Sequence, residues 1–327
     1  MHATPHPQRT KAVLLLVSAT AFWGLSFPLI KAIALTHARL LPASGNWFIT
    51  AQTLWPRFAL GALVLVALNF RALRSLTRAE WRQGLGIGLF SAAGLLFQID
   101  GLQFIAASTS AFLTQFYAIM IPVWLALRWW RNPGPRVWLS AVLVLAGVAV
   151  LARLDWRDLR LGRGEAETLL SSVFFMGQIL WLERKEFASN RALPVTAVMF
   201  VVEAALFTTL ALAVAARPAE LLVPWGSGAW TGCTLVLTLF CTLGAFIIMN
   251  AWQPKITATE AGLIYCIEPV FASLMALFLP AWFSAWGGLD YPNEIAGAGL
   301  LLGGGLITAA NVILQLKPPA PEPARVG

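Results

Sequence analysis

Three ionisable residues stand deep inside long apolar stretches. Arg57 lies in ITAQTLWPRFALGALVL, Glu203 in AVMFVVEAALF and Glu268 in GLIYCIEPVFASL. An arginine in such surroundings can grip a carboxylate or another anion with its planar fork of donors. A carboxylate there can take up and release a proton as its surroundings change between dry and wet. Two acids against one base leave a single surplus negative charge, which one bound proton would neutralise. The candidate roles are therefore anion binding for Arg57 and proton coupling for Glu203 and Glu268. A structural role is open beside each: a salt bridge between Arg57 and Glu203, and a helix-packing hydrogen bond for Glu268.

Polar and aromatic residues within the same kind of stretch complete a candidate binding set. Trp23, Gln98, Thr114, Tyr117, Gln178 and Tyr265 are the residues expected to join Arg57 around a substrate. Ser110, Thr114 and Tyr117 recur at i, i+4, i+7 and so share one helix face. Gln103, Thr234, Thr238 and Trp181 are further lining candidates. Any of these can instead glue helices together, since polar side chains do so throughout membrane interiors. Lys31 falls near a span end and can snorkel to the interface. Asp100, also near an end, can reach water.

The elements that must hold these residues follow from composition. The chain has 327 residues, 58% of them hydrophobic and only 12% charged, about half the charged share of a soluble domain. The mean hydropathy is +0.73. Such a chain expects lipid as its solvent, which excludes a disordered chain, a disulfide scaffold and a soluble enzyme domain. Cys233, Cys241 and Cys266 sit in apolar runs and read as core residues. His2, His6 and His37 are too peripheral for a buried metal site, so neither metal nor cofactor is expected. The net charge of +8 falls in short loops, where it suits anionic lipid headgroups rather than nucleic acid.

Apolar windows of roughly 20 residues, the length that crosses a bilayer, occur ten times: 12–35, 48–70, 83–105, 107–127, 136–152, 166–183, 193–216, 229–252, 257–282 and 295–316. Each must be helical, because lipid offers the backbone no partner. Arg57, Glu203 and Glu268 lie roughly 14–17 Å into their windows at 1.5 Å per residue. A lone charge at that depth costs about 3 kcal/mol on insertion scales. Pro28, Pro56, Pro122, Pro194 and Pro269 are expected to kink the spans that contain them. Trp138, Trp225, Trp230 and Trp282 lie near span ends and read as interfacial belt residues. With the N-terminus inside, fifteen Lys and Arg fall on the cytoplasmic side and six outside. The positive-inside rule then places both termini in the cytoplasm. The loop 153–165, with four Arg on the outer side, is the exception.

The chain also matches itself. Trp23-Gly24 followed by Lys31 is echoed by Met176-Gly177 followed by Arg184. Thr50-Ala51 is echoed by Thr196-Ala197, which sets Arg57 opposite Glu203. AVLVLAGVAV is echoed by AGLLLGGGLI. The offsets cluster near 150, and the loop-charge bias reverses between halves. Five spans per copy is odd, so a tandem copy must enter the membrane the other way round. The expected fold class is an all-α membrane protein with ten transmembrane helices in two inverted five-helix repeats. Its parts are a tail 1–11, a first repeat 12–153, a linker 154–165, a second repeat 166–316 and a tail 317–327. Small residues on the fifth and tenth spans are packing faces that can stabilise the repeats or a homodimer.

AFWGLSFPLIK in the first span, WPRFALGALVL in the second, TSAFLTQFYAIMIPVW in the fourth and TEAGLIYCIEPVFASLMALF in the ninth occur in an order that resembles the EamA-type transporters of the drug/metabolite transporter superfamily. The resemblance spans about residues 12–316. It departs after the fourth and ninth spans, where RWWRNPGPR and FLPAWFSAWG lack the family's Gly-Glu pair. The resemblance implies a non-enzymatic carrier of small metabolites in a bacterial inner membrane. An inverted-repeat transporter working by alternating access fits the sequence. A passive uniporter or channel-like facilitator would need only the cavity. An intramembrane enzyme fits least, for the chain has no His pair and no Gly-x-Ser-x-Gly.

Overall fold

The computed structural model describes residues 6–105, 107–129, 134–151, 162–295 and 297–315, and among them every regular element is helical. The tail 317–327 and most of the linker 154–165 lie outside the described residues. The first half contains α1 (His6–Leu40), α2 (Asn46–Leu73), α3 (Arg78–Gly101), α4 (Ala107–Thr114), α5 (Tyr117–Trp129) and α6 (Pro135–Leu151). The second contains α7 (Arg163–Leu182), α8 (Ala192–Val214), α9 (Gly228–Val236), a π-helical segment Leu237–Gly244, α10 (Ala245–Trp252), α11 (Ala258–Tyr265), α12 (Glu268–Ala276), α13 (Leu279–Gly287) and α14 (Ala298–Gln315).

Six stretches among the described residues are long and apolar enough to cross a bilayer: Gln8–Leu40, Asn46–Leu73, Arg78–Gly101, Ala192–Val214, Gly228–Lys255 and Ala258–Ala276. Shorter apolar helices accompany them. The protein is a multi-pass membrane protein. α1 begins earlier than its apolar window. Its first turns carry Arg9, which donates to Glu260 at 2.5 Å, and Lys11, which lies 4.9 Å over the Trp252 ring. The hydropathy window marks only the lipid-facing length, whereas these polar contacts extend the helix beyond it.

The prolines set the interruptions only in part: the break at 266–267 falls just before Pro269, as the sequence suggests, and the others behave differently. Pro56 lies within α2, but the non-helical dihedral there falls at Asn69 (φ −115°, ψ 18°). Pro122 lies within α5, while the break before that helix falls at Gln115-Phe116. Pro194 and Pro269 sit in the first turns of α8 and α12, where a missing N–H costs little. The fourth and ninth windows are both broken helices, α4–α5 and α11–α12.

Long seams join the halves. α2 runs along α8, α3 along α7, and α6 along α14. α1 packs against α9, the π-helical segment, α10 and α12. Lipid gives helices no hydrophobic reason to associate, so close approach through small residues must supply the contact. The α3–α7 seam shows how. A Cβ on Gly94 would stand 2.6 Å from the Phe175 ring, and one on Gly177 would stand 2.6 Å from the Phe90 ring. Each aromatic ring sits over a glycine of its neighbour. The α6–α14 seam uses Gly147, whose Cβ would meet the Gly303 carbonyl at 2.6 Å. Ser140 adds a bond to the Ala310 carbonyl at 3.1 Å. These small faces are occupied within the chain.

Polar clamps fix the seam ends. Thr77 and Glu80 form a capping box at the start of α3. Glu80 also accepts from Arg191 Nε at 2.6 Å and Nη2 at 2.9 Å, which ties that start to α8. At the far end of α3, Asp100 accepts from Thr50 at 3.0 Å and from Arg163 at 2.5 Å. Asp100 is buried, so it belongs to a structural clamp and not to a water-reaching site. Arg163 is one of the four arginines of the exceptional loop, and its place here gives it a structural use. Lys31 is exposed, with its ammonium 6.0 Å from the Tyr291 ring. Trp230 departs from the belt reading. It is fully buried, packed edge-on against Trp225 with ring centroids 5.2 Å apart.

Candidate functional site

The two broken helices bring chemistry-bearing residues to one place. Thr114 and Tyr117 flank the α4–α5 break, and Tyr265 and Glu268 flank the α11–α12 break. A helix break next to a cavity is tolerated because the cavity can satisfy freed backbone groups. Trp23, Ser26 and Ile30 of α1 close one side. Arg57 of α2, Leu95 and Gln98 of α3, Phe175, Gln178 and Ile179 of α7, and Phe246 and Met249 of α10 complete the wall. The cavity together with its open mouth spans about 620 Å³.

All seven residues expected to bind substrate line this cavity: Trp23, Arg57, Gln98, Thr114, Tyr117, Gln178 and Tyr265. Glu268 lines it too, but Glu203 does not. Glu203 is completely buried on α8, and neither carboxylate oxygen has a hydrogen bond of normal geometry. Ser91 on α3 is its polar neighbour. Among the described residues no ion pair joins Glu203 to Arg57. Their side chains interact only at longer range. Several other lining candidates have structural uses instead. Gln103 bonds Thr50 at 2.6 Å, and Thr238 bonds the Thr234 carbonyl at 2.8 Å. Trp181 sits in the α3–α7 seam, where Gly86 leaves room for its indole and Gln83 accepts its N–H at 3.3 Å.

Local bonds orient the wall. Gln98 donates to Thr114 at 3.1 Å, and Thr114 donates to the Ser110 carbonyl at 2.9 Å. The Tyr265 hydroxyl donates to Gln253 at 2.9 Å, and Gln253 donates to the Ile179 carbonyl at 3.0 Å. The hydroxyl of Tyr265 is thus occupied, and its ring stands edge-on to Trp23 at 5.2 Å. Trp23 meets Phe246 in the same manner at 5.7 Å. With Tyr117 and Phe175, these rings give the cavity an aromatic lining.

Two formal charges face that lining. Arg57 Nε donates to Thr242 at 2.8 Å, and the guanidinium lies 5.0 Å over the Phe58 ring. No hydrogen bond from described residues occupies its two terminal nitrogens, and none reaches the Glu268 carboxylate. The cavity therefore offers unfilled donors at one point and unfilled acceptors at another. Phe175, Phe246, Met249 and Thr242 were not anticipated. The first three look like any apolar residue of a span. Thr242 continues the 234, 238, 242 spacing of threonines, which was the signal available.

Comparison with known proteins agrees with this architecture. Residues 10–153 match the EamA-like transporter family. An uncharacterized transporter of Archaeoglobus fulgidus is 24% identical over 277 residues, covering 83% of this chain and 78% of that protein. These two matches support membership of the drug/metabolite transporter superfamily, and the matched family segment is the first half of the chain. One solved crystal structure superimposes with a TM-score of 0.68 at 19% identity, over 94% of this chain and 97% of its own. At that identity the likeness speaks for the fold alone. The transporter's cavity thus lies among helices from both its halves, and α1, α2 and α3 of the matched segment supply Trp23, Arg57 and Gln98.

Proposed function

We propose that this transporter is a secondary carrier that moves a small, carboxylate-bearing organic metabolite, amino-acid-like in size and charge, across the bacterial inner membrane. Arg57 binds the carboxylate. The rings of Trp23, Tyr117 and Tyr265 pack the organic part, and Gln98, Thr114 and Gln178 supply polar contacts. Glu268 exchanges the coupling proton, with Glu203 as a second buried acid behind the wall. The observation that carries the reading is the convergence of Arg57 and Glu268 on one aromatic cavity with their polar atoms unfilled.

In this reading the chain forms ten spans in two inverted five-helix repeats that rock about the cavity. The packing supports it. The α3–α7 seam has its counterpart in α1 against α9–α10, and α4 and α5 against α7 has its counterpart in α11 and α12 against α1. The breaks at 115–116 and 266–267 are separated by the same offset, near 150, as the sequence echoes. Both termini then face the cytoplasm, and lipid headgroups meet the basic loops.

Counterflow in proteoliposomes tests the function. A panel of amino acids and simple carboxylates is offered with and without an imposed pH gradient. We expect saturable exchange that is driven by the gradient in wild type and no longer driven in Glu268→Gln. Wild-type affinity in both Arg57→Lys and Arg57→Ala would remove Arg57 from the binding role. Flux that ignores the gradient would leave a passive uniporter.

A further inference from the structure

Arg57 and Glu203 pose a physical question. They carry opposite charges on two helices that pack along their length, α2 and α8. Phe58, next to Arg57, touches both Phe200 and Phe207, with ring centroids 5.6 and 5.4 Å apart. Those phenylalanines lie one turn to either side of Glu203 on the helix face turned towards α2. Both Glu203 oxygens are buried without a hydrogen bond. In so dry a place an ion pair would be strongly favoured over two separate charges, yet none forms.

The guanidinium is held elsewhere. Its Nε–H is given to Thr242 Oγ1 at 2.8 Å. Thr242 lies in the π-helical segment, and its own hydroxyl proton goes to the Leu237 carbonyl, five residues back, at 3.1 Å. Thr238, one turn earlier, makes the ordinary bond to a carbonyl four residues back. The wider turn therefore fixes the Thr242 hydroxyl with its proton spent along the helix and a lone pair turned to α2. π-helical turns recur at functional sites for this kind of re-aiming. Gly61, one turn beyond Arg57, keeps the helices close. A Cβ there would stand 3.8 Å from Thr242 Cγ2 and 3.0 Å from the Phe200 ring.

We infer that Thr242 is the positioning residue of the site: its hydroxyl, aimed by the π-helical turn, holds Arg57 off Glu203 and keeps the two terminal guanidinium nitrogens facing the cavity. Without that hydroxyl Arg57 swings onto Glu203, and the cavity loses its anion-binding donors. The consequence for transport rests on Arg57 binding the substrate carboxylate, but the geometry does not.

The test therefore uses a probe that needs no substrate. p-Hydroxyphenylglyoxal condenses with the terminal nitrogens of arginine, and mass spectrometry of the peptide carrying Arg57 follows its rate in the full-length protein in detergent. Thr242→Val keeps the shape of the side chain and removes the hydroxyl. We expect Arg57 labelling to slow about tenfold, the loss that corresponds to one charge-assisted hydrogen bond at the low end of its range. Thr242→Ser should label within about twofold of wild type, because the hydroxyl remains. Thr242→Val combined with Glu203→Gln should recover to within about threefold, because the competing anion is gone. A merely structural threonine would not be rescued by a change on α8. If Thr242→Val fails to elute as a folded species, Thr242→Ala carries the same comparison. Unreactive Arg57 in wild type, an unchanged rate in Thr242→Val, or slow labelling that persists in the double variant would each overturn the inference. Unchanged counterflow in both Arg57→Lys and Arg57→Ala would overturn the role of Arg57 in transport and leave the labelling result standing.

Discussion

At the end of the α3–α7 seam Asp100 is enclosed and both its oxygens are used, one by Thr50 and one by Arg163. In the cavity Glu268 is also buried, yet no described residue bonds either oxygen, and Arg57 nearby keeps two nitrogens free. The two regions contain the same residue types, a buried carboxylate and a guanidinium, although Arg163 at the seam end is partly exposed. They differ in whether the protein completes their hydrogen bonding. Leaving a buried charge incomplete is costly, so an incomplete set that faces a cavity marks a place that something else fills; Glu203, incomplete but behind the wall, is not such a place. A completed set is a clamp. Charge within a span is therefore not by itself a sign of a binding site, and its unfilled valence is the better criterion.

The largest effect should come from emptying the incomplete set. Arg57→Ala removes two donors that a bound carboxylate would use, each a charge-assisted bond, and should lower transport at limiting substrate by about a hundredfold. The fold should survive, because the single hydrogen bond that Arg57 gives to the described residues is the one to Thr242. Initial-rate counterflow beside gel filtration measures both. A variant that no longer elutes as a folded species would move Arg57 to the structural side of the comparison.

Asp100→Asn should show the reverse pattern. It keeps the shape but weakens the grip on Arg163, which is partly exposed and can be rehydrated. The melting temperature in detergent should fall by about 5 °C, while substrate affinity stays at the wild-type value. A normal melting temperature with lost transport would make the seam end part of the working site and collapse the distinction.

The sequence shows this contrast unevenly. Hydropathy places the helices well, because the lipid-facing length is a property of local composition. The seven candidate binding residues line one cavity because polar residues in apolar spans have few other places to go. The break at Gln115-Phe116 leaves no mark, since neither residue is Gly or Pro and the nearest proline lies inside α5. The pairing of Arg57 with Glu203 looks natural from their matching offsets. Which way a guanidinium turns, however, depends on a single hydroxyl on a third element, and no spacing reports that. Trp181 looks like a cavity ring until Gly86 is seen opposite it, and that vacancy exists only when α3 and α7 are packed.

The next effect joins seam and cavity. A methyl on Gly94 would stand 2.6 Å from the Phe175 ring, and Phe175 lines the cavity. Gly94→Ala should push that ring into the space a substrate would occupy. Overpacking costs of about 1–3 kcal/mol are typical. If part of that cost is transferred to binding, affinity for the bulkier members of the panel should fall about threefold, with the smallest members little affected. Equal losses for all sizes would mean that the seam had separated instead.

The smallest effect should come from Tyr265→Phe. The ring faces Trp23 and the cavity, but the hydroxyl is spent on Gln253, which in turn holds the Ile179 carbonyl. Removing it leaves one buried acceptor of Gln253 short of a donor, a loss of about 1 kcal/mol. The melting temperature should drop by about 3 °C, and substrate affinity should stay within about twofold because the aromatic face is kept. Tyr265→Ala would lose the face as well and should weaken binding much further. A tenfold loss of affinity in Tyr265→Phe itself would mean that the hydroxyl leaves Gln253 to meet the substrate. Tyr265 would then belong with Arg57 and Glu268 among the groups whose bonding the ligand completes.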